Sequence, residues 1–324
     1  MAAPAITMTK TGGVRRFWNR LRTGDEAAYL VTYVFAASVL LVTALLVWEL
    51  WRTSGPSRHQ FGFGFFKGTN WDPVAGDFGA LPFIYGTLLT SILALMISVP
   101  LGVGAAIFLA ELAPPKLSSA CTFLVELLAA VPSVIYGLLA IFTLIPLLRQ
   151  YVEPFLKSTL GFLPFFQGPA YGFGFLAAGL ILAVMTFPFI ISLSRESLLE
   201  VPRDQREAAM ALGATQWEAT SQVVVPYARL GILGSIFLGL ARALGETMAV
   251  TMVIGNTPQI KASLLASGYT IAAVIANEFT EATGTVYLSA LVELGLVLFL
   301  LTIIVNGLAR LLVIATSRKG TAQS

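Results

Sequence analysis

Six long apolar stretches constrain this chain more than any other feature of its sequence. A helix needs about 20 consecutive apolar residues to cross the hydrocarbon core of a bilayer, and each stretch reaches that length. We therefore predict an all-α integral membrane protein with six transmembrane helices. The stretches lie near residues 29–51, 83–110, 119–148, 173–194, 230–254 and 286–314.

The composition excludes a soluble domain. Of the 324 residues, 56% are hydrophobic and 11% are charged, whereas soluble domains carry about 25% charged residues. The net charge of +3 is spread along the chain and gives no nucleic-acid footprint. The single Cys121 cannot close an internal disulfide, and one Cys with one His59 argues against a zinc or iron–sulfur site. We expect no metal and no cofactor.

The first apolar stretch resembles a signal peptide because four arginines between Arg15 and Arg22 precede it. Its apolar run is too long for a signal peptide, and no small-residue cleavage site follows Trp51. We therefore expect a retained transmembrane helix.

The distribution of cations predicts the orientation, since cytoplasmic segments carry an excess of Lys and Arg. With the N-terminus inside, thirteen cations fall on cytoplasmic segments and six on external ones. Both termini are therefore predicted to be cytoplasmic. The predicted organisation is a cytoplasmic tail (1–28), a first transmembrane helix (29–51) with an extracytoplasmic loop (52–80), a core transmembrane domain (81–316) containing a long charged cytoplasmic loop (195–229), and a cytoplasmic tail (317–324).

Segments 150–172 and 255–284 are also predicted to lie outside. Both are apolar enough to form interfacial or re-entrant helices rather than free loops.

The cytoplasmic loop contains two predicted helices. The stretch from Arg203 to Gly213 consists of good helix formers, and Gly213 stands where a left-handed C-terminal cap is wanted. Thr215 and Glu218 have the spacing of a capping box, so we expect a second helix that ends before Pro226.

The spacing in this loop resembles the EAA loop of importer-type ABC transporter permeases. The family pattern is Glu-Ala-Ala-x3-Gly-x9-Ile-x-Leu-Pro, and valine replaces Ile and Leu here. The resemblance implies a type I (MetI-like) importer permease fold in which this loop is a coupling helix seated in a separate ATPase subunit. The matching docking residues are Glu207, Ala208, Ala209 and Gly213. The chain has no Gly-x4-Gly-Lys-Ser/Thr motif, so the ATPase must be a partner.

Arg242 and Glu246 lie in an otherwise apolar stretch. Their spacing of four predicts one helical face with the two side chains within reach of each other. They form either a self-neutralising pair or a cavity-lining anion site in which Glu246 limits how tightly the anion is held. The planar guanidinium suits tetrahedral oxyanions such as phosphate or sulfate. Glu126 and Glu293 are predicted to be further buried carboxylates, either functional or simple packing groups.

Further strings resemble the PstC-type permease subunits of phosphate ABC transporters. The resemblance implies transport of inorganic phosphate along a pathway that includes Arg242 and Glu246. It also implies a homologous second permease (PstA-type), two ATP-binding subunits (PstB-type) and an extracytoplasmic phosphate-binding protein (PstS-type). The long first outside loop and the Pro82–Leu88 string favour the C type over the A type. The strings are 82–88, 130–137, 207–214, 241–249 and 270–279.

Three alternatives remain at this stage. One is a permease for another oxyanion, such as sulfate or molybdate. A second is a proton-coupled secondary carrier, for which the buried glutamates would serve as proton sites, although the chain shows no internal repeat. A membrane enzyme is disfavoured because no Ser/His/Asp set can be built around one histidine.

Overall fold

The computed structural model describes residues 25–320, and the side chains of residues 28–311. The chain forms two compact units, which divide after Arg52. The predictions for the N-terminal tail up to residue 24 and for residues 321–324 lie outside the described residues.

Among residues 25–320, six helices are long and apolar enough to cross a membrane, which confirms the predicted number. They are Ala28–Thr53, Leu81–Leu112, Ser133–Leu160, Phe175–Leu199, Gln216–Gly245 and Thr285–Leu311. Below they are called spans one to six.

The first unit contains helix α1, Asp25–Thr53, except for its last residue. It begins and ends within a few residues of the predicted first span. Its large apolar side chains stay exposed, and Leu40 is an example at 73% exposure. Such a surface is typical of a helix whose surroundings are lipid.

The segment predicted as the first outside loop is folded rather than irregular. Trp71 pairs with Phe78 across a two-stranded hairpin, and the Trp71 ring lies 4.8 Å from both the Phe78 and Phe83 rings. The Trp71 indole N–H also donates to Glu278 at 2.8 Å. The elements are α2 (Gly55–Phe61), α3 (Gly64–Lys67), β1 (Trp71–Asp72) and β2 (Asp77–Phe78).

The core of the second unit is formed by α4 (Leu81–Ile107) and α9 (Phe175–Leu199), which pack against each other. A wider π turn, Phe108–Leu112, extends α4 towards its C-terminal end. Close approach of the two helices depends on small residues, because a Cβ at Gly179 would lie 2.4 Å from Leu93.

The third span differs from its prediction. The predicted helix 119–148 is interrupted at Val131 and Pro132, whose ψ angles of 129° and 142° are extended. Proline disfavours helical geometry in the residue before it and has no N–H to donate, so one helix cannot run through. Instead α5 (Pro115–Ala130) ends, and the span begins at Ser133 with α6 (Ser133–Leu139), followed by α7 (Ile145–Leu147) and α8 (Glu153–Leu160) with π turns between them.

The fifth span starts and ends earlier than predicted. The second loop helix does not end before Pro226, which makes that prediction wrong. In the π turn Thr220–Val224 the Val225 N–H bonds to the Thr220 carbonyl five residues earlier, and this wider turn accommodates the proline. The continuous helix consists of α11 (Gln216–Ala219), that turn and α12 (Val225–Gly245); after a break, α13 covers Met248–Val253. The loop between spans four and five is therefore shorter than the predicted 195–229.

The segment between spans five and six folds back over the start of α9. The Phe175 and Leu176 N–H groups donate to the Ala266 and Leu264 carbonyls at 3.1 and 2.8 Å. A short helix, α14 (Ile271–Glu278), follows, and its first four residues are buried. The sequence predicted an interfacial or re-entrant helix here, and the helix is packed between spans. The last helix, α15, covers Thr285–Gly320.

Candidate functional site

Arg242 lies in the last turn of α12, at the point where span five is broken. Its guanidinium carbon is 4.4 Å from the centre of the Phe189 ring on α9. A cation over an aromatic face is attracted by the ring's negative quadrupole, and the attraction increases when water is excluded. This contact fixes the arginine without using its hydrogen-bond donors.

The Arg242 Nε is buried and has no hydrogen-bond partner among the described residues. No ion pair involving Arg242 occurs in the described part of the chain. A buried donor without a partner costs free energy, and an intramembrane arginine generally faces a partner or a water-filled cavity. The arrangement leaves the planar fork able to bind an oxyanion.

The structure corrects the predicted pairing of Arg242 with Glu246. The helix ends at Gly245, and Glu246 is extended with ψ 128°, so the two side chains no longer share a helical face. The Glu246 carboxylate instead accepts a long hydrogen bond of 3.5 Å from the Ala249 N–H in the first turn of α13. The self-neutralising intrahelical pair is therefore absent from the described residues.

Tyr136 and Gly137 bring span three next to this break. The Tyr136 hydroxyl donates to the Leu128 carbonyl at 2.8 Å. A Cβ at Gly137 would lie 2.4 Å from the Met252 sulfur and 3.2 Å from the Ala249 Cα. In the sequence, residues 130–137 stand out only by their resemblance to PstC-type permeases. Nothing local indicates that they pack against residues more than a hundred positions later.

The two further carboxylates have different outcomes. Glu293 is 1% exposed on α15, and its Oε2 has no hydrogen-bond partner in the described part of the chain, so its predicted burial is confirmed. Glu126 is exposed on α5, outside the six spans, so its predicted burial in span three is wrong. It lines a cavity of about 540 Å³ together with Arg195.

In the loop between spans four and five, the local predictions are confirmed. Helix α10 covers Arg203–Ala211, and Gly213 has a left-handed φ of +92°. The Gly213 and Ala214 N–H groups donate to the Met210 and Ala209 carbonyls at 3.0 and 3.2 Å, which is a Schellman cap. The predicted capping box of Thr215 with Glu218 is also formed.

The predicted docking residues lie on α10 and at its C-terminal cap. Glu207, Ala208 and Gly213 are exposed, and Ala209 is half-buried. Ala208 and Ala209 line a shallow cavity of about 360 Å³ between α10 and α11. Next to them, Leu212 is 91% exposed and Trp217 is 59% exposed. Large apolar side chains exposed on a polar loop are typical of a protein contact surface.

Two chains of known structure share this fold. One, from a bacterial ABC transporter involved in the import of the acidic polysaccharide alginate, aligns with a TM-score of 0.57 at 16% identity over 91% of this chain and 98% of its own length. A second alginate ABC transporter structure aligns with a TM-score of 0.56 at 15% identity over 90% and 96%. The predicted importer-permease fold is thus confirmed, and its six long apolar helices are those of a multi-pass membrane protein.

Residues 98–317 match the family described as binding-protein-dependent transport system inner membrane component, and the chain belongs to that family. Among curated relatives, a "Phosphate transport system permease protein PstC" of Mesorhizobium japonicum is 45% identical over 95% of this chain and 94% of its own length. The protein of the same name from Haemophilus influenzae is 46% identical over 92% and 96%. A "Probable phosphate transport system permease protein PstC" of Methanocaldococcus jannaschii is 35% identical over 88% and 92%.

Proposed function

We propose that this chain is the C-type permease subunit of an ATP-driven importer that carries inorganic phosphate across the cytoplasmic membrane. The likeness to PstC proteins over nearly the whole chain supports the substrate. The observation in the structure that carries the proposal is the buried Arg242 Nε, which has no hydrogen-bond partner among the described residues. A permanently charged planar fork suits a tetrahedral oxyanion better than it suits a sugar or a cation.

Arg242 and Glu246 are the proposed substrate-pathway residues. The helix break at Gly245 supports this role, because non-helical backbone at membrane depth is tolerated where it is buried in protein or lines a water-filled cavity. Glu246 follows Arg242 by four residues and forms no ion pair with it in the described part of the chain. A neighbouring carboxylate weakens anion binding, and a transport site must release its ion as well as bind it.

Glu207, Ala208, Ala209 and Gly213 are the proposed docking residues for an ATP-binding subunit. The small side chains of Ala208, Ala209 and Gly213 support this role, because small residues at a contact let a helix approach a groove of another protein closely. The partners proposed are one homologous permease (PstA-type), two ATP-binding subunits (PstB-type) and an extracytoplasmic phosphate-binding protein (PstS-type). ATP hydrolysis belongs to the PstB-type subunits, and this chain is a non-catalytic translocation subunit without a cofactor.

The test of the function is uptake of radiolabelled phosphate by cells that lack their own high-affinity system and express this chain with its partner subunits. Uptake should follow the ATP level and persist with a proton uncoupler at matched ATP. Uptake that collapses with the uncoupler would support a proton-coupled carrier and contradict the proposal.

The pathway assignment is tested by Arg242→Gln, with Arg229→Gln as its matched control on the same helix. The two positions are about 20 Å apart along the axis at about 1.5 Å per residue. Arg242→Gln should lose at least tenfold in uptake, since it removes the charge that meets the anion, while the complex still assembles. Arg229→Gln should transport normally. Normal uptake by Arg242→Gln with loss in Glu246→Gln would reverse the two roles.

The oxyanion is tested by competition, because Arg242 alone does not distinguish phosphate from sulfate or molybdate. A saturating, large excess of unlabelled phosphate should nearly abolish labelled uptake, and the same excess of sulfate or molybdate should leave it unchanged. Competition by sulfate and not by phosphate would keep the importer class and replace the substrate.

The proposed location is the bacterial cytoplasmic (inner) membrane, with both termini cytoplasmic. Two exposed positions test the orientation in a Cys121→Ala background: Val74, which is 98% exposed in the hairpin turn, and Leu212, which is 91% exposed beside Gly213. In cells that express the chain without its ATP-binding partner, an impermeant thiol reagent should label Val74→Cys in intact cells and Leu212→Cys only after permeabilisation. The opposite labelling pattern would invert the topology.

A further inference from the structure

A partly buried ion pair joins the cytoplasmic helix α10 to the end of span two. The Arg206 Nη2 lies 2.7 Å from the Glu111 Oε1, and the Arg206 Nε donates to the Glu111 Oε2 at 3.1 Å. Their side chains are only 18% and 8% exposed. A two-pronged Arg–carboxylate contact fixes orientation as well as distance, which a single apolar contact does not.

The same guanidinium also holds the end of span four. Its Nη2 donates to the Leu198 carbonyl at 2.7 Å, and its Nη1 donates to the Val201 carbonyl. The carbonyls at a helix C-terminus lack intrahelical partners and attract cations. One side chain of α10 therefore binds the cytoplasmic ends of spans two and four together.

Glu111 makes the connection to span five as well. The Gln216 side-chain amide donates to the Glu111 carbonyl at the start of α11. The first residue of span five is therefore bonded to the backbone of Glu111, the residue whose side chain pairs with Arg206. Three spans end or begin at this contact.

Helix α10 has no fully buried side chain. An exposed helix with little apolar packing transmits force poorly through shape alone, because its side chains can slide over a neighbouring surface. The bonds of Arg206 are directional and largely shielded from water. Electrostatic interactions are stronger where water is excluded. A displacement of α10 must therefore either carry the span ends with it or break these bonds.

We infer that Arg206 and Glu111 form the connection through which movement of α10 is transmitted to spans two and four. They are positioning residues, since neither needs to touch the substrate or the ATP. The inference rests on the proposed function, because it gives α10 its moving partner. It extends that function from the docking surface to the route by which docking acts on the membrane helices.

The test compares transport with ATP hydrolysis in proteoliposomes that contain the chain, its partner permease and the ATP-binding subunits, with loaded binding protein outside. The variants are Glu111→Gln, Arg206→Gln and the double variant. The control is Arg203→Gln, one turn earlier on α10, which is exposed and makes no ion pair in the described part of the chain. Copurification measures assembly.

Each single variant should assemble and hydrolyse ATP, while phosphate transported per ATP falls at least tenfold. The double variant should be no worse than either single variant, because the two groups act as one unit. It also leaves no buried charge without a partner, so it remains informative if a single variant fails to fold. Arg203→Gln should keep the wild-type ratio.

Three results would overturn the inference, each in a different way. An unchanged ratio in assembled variants would assign the pair a purely structural role. Equal losses in Arg203→Gln and Arg206→Gln would assign the effect to the docking surface. Wild-type liposomes that hydrolyse ATP without moving phosphate would reject the proposed function, and with it the inference.

Discussion

Gly86 is a position where the effect of one added atom, a Cβ, on the stability of the protein can be predicted from the structure. It lies in α4, where a Cβ would stand 2.1 Å from the Tyr269 carbonyl oxygen and 3.0 Å from its carbon. Ordinary van der Waals contact begins near 3.4 Å, so Gly86→Ala requires a backbone displacement of about 1.3 Å. The obstacle is main chain, which cannot change rotamer to make room.

The displaced backbone is tied on both sides of the contact. The Ile271 N–H donates to the Thr87 hydroxyl at 3.0 Å, and the Tyr269 ring packs 5.4 Å from Phe83. Overpacking of a buried site costs about 1–3 kcal/mol. We expect Gly86→Ala to lower stability by that amount and to lower the unfolding temperature of the detergent-purified protein by several degrees.

Gly104 is the matched control on the same helix, because a Cβ there meets nothing within 4 Å. Gly104→Ala should be neutral or stabilising by up to about 1 kcal/mol, since alanine is the better helix former. Thermal unfolding of both variants, followed by tryptophan fluorescence, gives the comparison. Equal unfolding temperatures would refute the reasoning from close backbone approach.

Two further predictions concern the loop between spans four and five and the buried Tyr269 between spans five and six. Ala209→Arg and Gly213→Asp should each abolish phosphate uptake while the protein remains in the membrane. The arginine adds bulk to the docking surface, and the aspartate strains a left-handed cap. Normal uptake by either variant would contradict the coupling assignment. Burial raises the pKa of Tyr269 to about 12. The folded state therefore holds this proton more tightly than the unfolded state, and the resulting stability is complete below about pH 10 and is lost between about pH 10 and 12. The unfolding temperature should fall less steeply over that pH range in Tyr269→Phe than in the wild type. Parallel curves of unfolding temperature against pH would contradict this prediction.

The sequence predicted features that depend on local chemistry. The six spans follow from apolar length alone, and their number is confirmed. The bounds of α10, the left-handed Gly213 and the Thr215–Glu218 capping box follow from the residues within one turn of each feature, and all three are present. Membrane insertion and helix capping depend on neighbours close in the chain, which is why composition and short spacing suffice.

Other features were decided only by the tertiary structure. The sequence could not show that span five passes through Pro226 and ends at Gly245, because a π turn and a helix break leave no mark in an apolar pattern. It could not show that Glu126 is exposed, since that depends on where α5 ends.

Contacts between residues far apart in the sequence were also decided only by the tertiary structure. Arg206 and Glu111 are 95 positions apart, and Arg242 meets Phe189 from another helix. The sequence by itself determined how many segments are long and apolar enough to cross a membrane, and that a polar helix lies between the fourth and fifth of them. Only the packing of the spans decided which charged groups have partners, because a partner across two helices is a property of three-dimensional geometry and not of spacing.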